Sequence, residues 1–492
     1  MFNLIEESWI PATTDEGNVV YVSPWEISRP DITLTDLAFE RPDFNSAVYQ
    51  FLIGLYQTVY TPKDDDEWLD RLEEPPCPEE MHTLMSYAVD KFELLGGWPR
   101  YMQDASVSSA SDKGIMGLLI TNPGENTVKL GKDFFIKRRS GGGLCLSCAS
   151  AALTAMQTMA PMGGSGLRAS VRGSSAITVL IRGKTLWQNV YLNVLTSERL
   201  KRTGGQDPSA DPFVWTKEQC AGTVHTQSNS PLAIEWSMVR RIMLGDLFPG
   251  TCTICGRECD CIFSFKEMNK GNEYPSWIHP LSPTYVTKDG RTLHKLMNRD
   301  MAHFYQWSAL AYQGQEFARP SLNVSQMSDN RAYLQDILHS VPRLWINGYQ
   351  NKQALPEYWV DVTVPVYTGY GDEGLFDSFV RNLIRLSRKT EKNMSDALKK
   401  TLGDGFNKSP VSSNFWSVCD SAFIIAVSQY SSNTQDQVIE NWIVKMREIA
   451  FSTFDEVTET VPLEDYGKAV MERSNLFKQL SKKSMMKELS KE

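Results

Sequence analysis

Short alternations of apolar and polar residues open the chain. Trp9-Ile-Pro and Val19-Val-Tyr-Val22 predict a small N-terminal sheet with a turn at Asp15-Glu-Gly17. From Asp43 to Tyr60 the apolar positions recur at helical spacing and Pro62 closes the run, which predicts a core helix. The consecutive acids Asp64 to Glu67 suit a helix start, because they point in different directions and favour the positive end of the dipole over a shared metal. A further helix is expected over Glu79–Leu95, ahead of Gly96-Gly97. Residues 98–144 read as long loops. An Ala-rich helix then lies between two glycine-rich loops, and Pro161 stops it. Ala176–Gly183 predicts a strand, Leu186–Leu195 a helix, and 341–368 two strands joined by a polar turn at Asn351-Lys-Gln-Ala354. Beyond Gly369-Tyr-Gly-Asp-Glu-Gly374 the pattern is helical at 375–402, 414–431, 434–452 and 463–489. Short breaks at Gly403-Asp-Gly405 and Pro462 suggest an antiparallel arrangement. The fold class expected is α+β: a large mixed lobe over 1–370, followed by a four-helix bundle over 371–492.

Length supports this division, since 492 residues exceed the ~250–300 at which one core stops growing. Charge then changes the picture. The net charge of −9 argues against nucleic acid, yet residues 1–95 hold 5 Lys and Arg against 20 Asp and Glu, whereas 96–184 hold 11 against 4. A basic segment beside an acidic one lets one face attract a polyanion while another stays in solvent or meets a basic partner. The opening residues lack the positive charge of a signal peptide, and no apolar run is long enough to span a bilayer. A cytoplasmic protein is therefore expected.

Six of the nine cysteines fall in two patches, Cys145-x-x-Cys148 and Cys252-x-x-Cys255-x3-Cys259-x-Cys261. Two Cys-x-x-Cys knuckles can supply the four sulfurs of a tetrahedral zinc site, and closure entropy across the 103 intervening residues grows only logarithmically. Cys145, Cys148, Cys252 and Cys255 are assigned to one structural zinc, with Cys259 and Cys261 either replacing one pair or remaining free thiols. His279, between prolines and without a second histidine close in sequence, reads as a structural histidine more than a ligand or base.

Several stretches carry cations where a polyanion could lie. Lys137, Arg138 and Arg139 precede the first glycine loop, and Arg168 and Arg172 follow the second. Phe134, Phe135 and Ile136 sit among Lys129, Lys132 and Lys137–Arg139, a pattern suited to stacking bases and neutralising phosphates. Arg381, Arg385, Arg388 and Lys392 recur at helical spacing opposite Phe379, Leu383 and Leu386; such a stripe is a solvated face or a track for a phosphate backbone. No carboxylate cluster of a nuclease, Walker loop or Ser/His/Asp arrangement with supporting context is present, so no catalysis by this chain is expected. The rival readings are a zinc-dependent hydrolase or nuclease using His279, and a stand-alone zinc RNA-binding protein.

The chain resembles the CasA family, the large subunit of the type I-E CRISPR Cascade complex. The resemblance runs from Leu4-Ile-Glu-Glu-Ser-Trp-Ile-Pro11 to the C-terminal helices. It is most specific at Cys145-x-x-Cys148, the helix ending Ala160-Pro161, Gly163-Gly-Ser-Gly-Leu-Arg168, Ile181-Arg-Gly183 and Leu192-Asn-Val-Leu195, with further matches at Trp277 through Pro283 and Gly348–Ala354. It implies a partner of guide RNA and other Cascade subunits that examines duplex DNA for the protospacer-adjacent motif. It further implies that the chain promotes strand opening and helps recruit a helicase-nuclease. Motif-reading residues carried over by position are Gly163, Gly164, Ser165 and Gly166 in a glycine loop and Lys352, Gln353 and Ala354 in a wedge. The aligned lysine-finger position holds Met268, flanked by Lys266 and Lys270; Lys270 is taken as the finger. The guide-RNA loop implied is Phe134–Ile136 with the cations that follow. A Lys at 352, where an Asn is usual, is a second departure.

Overall fold

The computed structural model describes residues 1–123, 128–131, 142–164, 166–311, 319–352, 355–366, 373–403, 406–459 and 461–490. It forms two compact units, Met1–Arg299 with Phe317–Val364, and Asp300–Glu316 with Pro365–Glu492.

In the first unit, strand Ile10–Thr14 pairs antiparallel with Val19–Val22 and with Leu34–Leu37. The expected turn closes through Thr14 N–H to the Asn18 carbonyl at 2.8 Å. Helix Pro42–Val59 is the centre of the core, buried from Phe44 through Gln57 apart from Asn45. It packs on helix Leu146–Thr158, which is rich in small residues and so allows close approach. Around Phe51, the rings of Phe92, Tyr101 and Trp236 lie edge-on at 5.6–6.2 Å, with Trp215 against Phe92 at 5.5 Å. Asp64 caps helix Asp65–Glu73 by accepting the Glu67 N–H at 3.0 Å, the capping role expected of that acidic run.

The helix expected over 79–95 is shorter. Pro78–Met85 is α-helical, Ser86–Lys91 tightens to a 3₁₀ turn, and Glu93–Leu95 becomes a strand paired with Phe2–Asn3. The cause is tertiary: Phe92 and Leu94 are both fully buried, and the strand lets Leu4 N–H reach the Phe92 carbonyl at 2.9 Å. Likewise the helix expected over 186–195 spans Leu186–Tyr191, because Asn193 leaves it to bond both the N–H and the carbonyl of Ile181. Thr178–Arg182 forms the edge of a three-stranded sheet whose middle strand is Arg343–Lys352 and whose far strand is Leu355–Pro365.

The second unit is helical. Helix Glu373–Leu402 contacts Lys408–Ser428, Gln435–Thr458, Leu463–Gln479 and Lys482–Leu489. The single helix expected over 463–489 is two, since the buried Leu480 turns inward and Ser481 starts a new helix by accepting the Ser484 N–H. Asp300–Glu316, which lies inside the expected first lobe, clusters instead with these helices. Phe304 stacks on Phe423 at 4.3 Å, and Asp420 holds both the Phe304 N–H (2.8 Å) and His303 Nδ1 (2.9 Å).

Candidate metal centre and nucleic-acid interface

Cys145 ends the short strand Leu144–Cys145 and serves as the N-cap of the Ala-rich helix, its Sγ accepting the Cys148 N–H at 3.4 Å. That cap brings the second thiol one turn later beside the first. Cys252 and Cys255 come from the turn of the hairpin formed by Leu247–Thr251 and Glu258–Ile262. The turn is closed by Gly256 N–H to the Cys252 carbonyl at 2.9 Å, and Gly256 adopts φ +74°, where a side chain would be strained. A bridge between Gly143 and Cys252, with Thr253 N–H to the Gly143 carbonyl at 2.8 Å, joins the two knuckles.

The result is one cluster: the sulfurs of Cys145, Cys148, Cys252 and Cys255 all lie within 4.8 Å of one another, with Cys145 and Cys255 3.8 Å apart. Thiolates around a tetrahedral ion at ~2.3 Å would stand about 3.8 Å apart, so the donor set fits such a metal. Cys261 sits opposite Cys145 in register and 3.9 Å from Cys259, outside that group of four.

Without an ion these thiols compete for protons. Neighbouring Cys148 lowers Cys145, but the contact with Cys252 and burial together carry it up to about 12; Cys148 is raised further by both partners, and Cys252 is held low as the acceptor of both. A bound cation would replace the protons that Cys145 and Cys148 otherwise keep. Arg257 was not singled out from the sequence. Its Nε and Nη2 each donate to a sulfur of the cluster, Cys255 and Cys145, at 3.4 Å, while its guanidinium lies 4.5 Å from the Tyr21 ring centre. Burial works against that charge, yet the two sulfurs hold its pKa above the ordinary value. The available signal was chemical: four thiolates around a divalent ion leave a net negative charge, and the cation nearest the second knuckle in sequence is Arg257.

The second glycine loop begins where the helix ends. Buried Arg240 donates to the Pro161 carbonyl at 2.6 Å and to Glu267 at 3.2 Å, tying the loop's start to strand Ser264–Met268. Beyond that strand Lys270, at φ +60°, donates its N–H to the Gly166 carbonyl at 2.8 Å and accepts from Gly222 N–H at 2.7 Å. Gly166 itself has φ +86° and Asn269 lies 3.2 Å from where its Cβ would be, so glycine serves both the turn and the close approach. Lys270 is exposed and has no ion-pair partner among the described residues. Lys266 differs, because its ammonium donates to the Ser108 carbonyl at 2.6 Å.

The hairpin joins the same cluster. Asn351 N–H donates to Ser175 Oγ at 3.0 Å and its amide to the Ser174 carbonyl, while Ser174 Oγ accepts Met162 N–H at 3.0 Å. The strand is anchored deep in the core, where Tyr349 donates to Asp43 at 2.9 Å and Ser46 to Asn347 at 2.6 Å. Lys352 at the end of this strand is 77% exposed, 4.0 Å from Glu357. Gly163, Gly164, Gly166, Lys270 and Lys352 thus belong to segments bonded to one another or to a shared serine pair. Ser165, Gln353 and Ala354 lie outside the described residues, as does the expected guide-RNA loop, Phe134, Phe135, Ile136, Lys137, Arg138 and Arg139.

Two flanking cations are not free for a polyanion. Arg172 is fully buried and donates to Gln50 (2.8 Å), Thr178 (2.8 Å) and the Thr158 carbonyl (2.6 Å), a correction to its expected place in a positive loop. Arg168 pairs with Glu273. His279 is buried, its N–H bonded to His294 Nε2 at 3.0 Å and its Nδ1 accepting Leu281 N–H at 3.2 Å, which is a structural role. On helix Glu373–Leu402, Arg385 donates to the Leu489 carbonyl (3.5 Å) and Arg388 to the Tyr305 carbonyl (3.4 Å), while Lys392 is exposed and Arg381 half-buried.

Residues 3–453 match the family described as CRISPR-associated protein Cse1. Among solved structures, Thermus thermophilus CasA (Cse1) is similar at 16% identity and TM-score 0.74, covering 98% of this chain and 100% of that one. Thermobifida fusca Cse1 is similar at 13% identity and TM-score 0.77, covering 99% and 98%. A chain of a CRISPR RNA-guided surveillance complex matches at 16% identity and TM-score 0.72, covering 97% and 99%. The chain belongs to the Cse1 (CasA) family, the large subunit of the type I-E Cascade surveillance complex.

Proposed function

We propose that this subunit reads the protospacer-adjacent motif of duplex target DNA with the glycine loop, Lys270 and the hairpin end, and that it opens the first base pairs with Gln353 as wedge. The observation that carries this reading is the main-chain bond between Lys270 and Gly166, together with the shared Ser174–Ser175 anchor of the loop and the hairpin. Minor-groove contacts made by backbone and one lysine discriminate weakly among base pairs, so several motifs are tolerated. Sequence specificity then comes from pairing with guide RNA. Phe134 to Arg139 engage that RNA, other Cascade subunits and a helicase-nuclease are the protein partners, and the chain works in the cytoplasm.

The metal is a structural zinc, since four thiolates fill its coordination and leave no position for a substrate. The chain itself breaks no bond. Packing of Glu373–Leu402 against the next three helices supports a four-helix bundle, whose Arg381, Arg385, Arg388 and Lys392 follow the DNA backbone.

A gel shift of the assembled complex, with and without this chain, on duplexes differing only in the motif tests the reading. Motif preference should need the chain and be lost in Lys270→Ala; preference unchanged in both cases overturns it. Gln353→Ala should slow strand separation more than DNA encounter, and unaltered permanganate reactivity of the opened bases would remove the wedge.

A further inference from the structure

We propose that the groove beside Trp98 binds a single-stranded DNA segment, stacking its bases on the indole. The inference rests on the motif-reading proposal for the origin of that strand, the one displaced when target DNA opens. The groove has a volume of about 560 Å³ and is lined by Trp98, Gln103, Ser106, Trp215, Lys217 and Gln219 among others. That lies inside the ~300–1,000 Å³ of small-ligand sites.

Its two tryptophans differ. Trp215 is 3% exposed and spends its N–H on the Lys91 carbonyl at 2.7 Å, whereas Trp98 is 44% exposed. The Arg100 guanidinium lies 5.0 Å from the Trp98 ring centre and is fixed there by bonds of 3.1 and 2.7 Å to the Gly96 carbonyl. A cation held against an indole makes a rigid platform, and a base has a π-face whatever its identity.

The uncharged polar side chains of the wall are already spent. Gln103 bonds the Leu94 carbonyl (2.7 Å) and Leu244 N–H (2.9 Å). Ser106 Oγ lies 2.6 Å from both Asp104 and Arg241, and Gln219 accepts from Asn272 at 2.9 Å. With few donors or acceptors left for base edges, the wall favours stacking over sequence readout, which suits a displaced strand whose sequence changes with every target. Lys217 is exposed without an ion-pair partner among the described residues and can meet a phosphate, with exposed Glu218 beside it setting an upper limit on charge.

Position adds the second argument. Gln219 is bonded to Asn272, two residues past Lys270, and Gly222 N–H is bonded to the Lys270 carbonyl. The groove wall at Gln219 and the proposed motif-reading lysine are thus joined by hydrogen bonds through the segment Gln219–Gly222.

Fluorescence anisotropy of the full chain with a short labelled oligothymidylate, single-stranded or as its duplex, tests this without guide RNA or motif. Its failure is therefore distinct from failure of motif reading. The single strand should bind more tightly than the duplex, and Trp98→Ala should weaken it at least about fivefold. Trp98→Phe should recover most of the loss, and Lys217→Ala should lower the salt dependence by about one phosphate contact. Equal affinity in Trp98→Ala and wild type overturns the proposal. Should Trp98→Ala fail to fold, photocrosslinking of an iodouracil-bearing oligonucleotide to the wild-type chain decides: an adduct on the peptide containing Trp98 supports it, and adducts only elsewhere overturn it.

Discussion

A tetrathiolate centre gathers more negative charge than a divalent ion cancels, and Arg257 is placed where that excess lies, bonded to two of the four sulfurs. Outer partners of this kind orient ligands and tune affinity. Arg257→Ala is expected to weaken zinc about 10- to 100-fold, measured by competition with a chelating dye, with the fold retained at saturating zinc. Cys252→Ala removes a ligand outright and should destabilise the first unit by more than about 4 kcal/mol, seen in calorimetry with loss of bound zinc. A variant that keeps both its melting temperature and its metal would refute a structural zinc at these four cysteines. The knuckles were legible in the sequence because Cys-x-x-Cys spacing is set by local turn geometry. Arg257 was not, since which sulfurs it meets depends on a strand pairing between segments far apart in the chain.

At the scale of elements, helix Glu373–Leu402 turns Phe379, Leu383 and Leu386 inward and its cations outward, as its periodicity requires. Arg385 and Arg388 both donate to carbonyls of the same unit, but Arg388 is exposed, as is Lys392, so these two carry the test of a DNA track. Their joint replacement by Ala should lower affinity equally for all targets and reduce the salt slope by about two, measured by filter binding across a salt series. A loss confined to one motif would argue against backbone contact. The core helix, the hairpin and the C-terminal helices were readable because each carries its own period. The 79–95 segment was not: its helical pattern ran on, but Phe92 and Leu94 reach the core only if the chain straightens there. The same limit applies to Arg172, whose place in a glycine-flanked stretch suggested solvent, while the fold buries it among Gln50, Thr158 and Thr178.

Across the whole molecule, buried titratable groups set how stability follows pH. Burial holds His225 and His294 at about 4, and His279 well below its ordinary 6.5. In the unfolded chain these imidazoles regain a pKa near 6.5, so below that pH the unfolded state takes up more protons and stability falls as the solution is acidified towards pH 4. Glu235 acts in the opposite sense. Burial, opposed by Arg172, raises it to about 8, so it favours the folded state at low pH and that contribution is lost as pH rises from 4.5 towards 8. Melting temperature measured across this range should peak at about pH 6.5. His294→Gln, which keeps an acceptor for the His279 N–H, should flatten the acidic side; an unchanged acid limb would show that these imidazoles do not titrate on unfolding.

Because Lys270 and Gly166 are joined through peptide groups and not through side chains, their bond survives replacement of residue 270 by any side chain that accepts the left-handed backbone there. On the proposed motif-reading role of Lys270, such substitutions would alter the vocabulary of accepted DNA while the scaffold that presents it survives, which would give a lineage a route to new targets without rebuilding the protein.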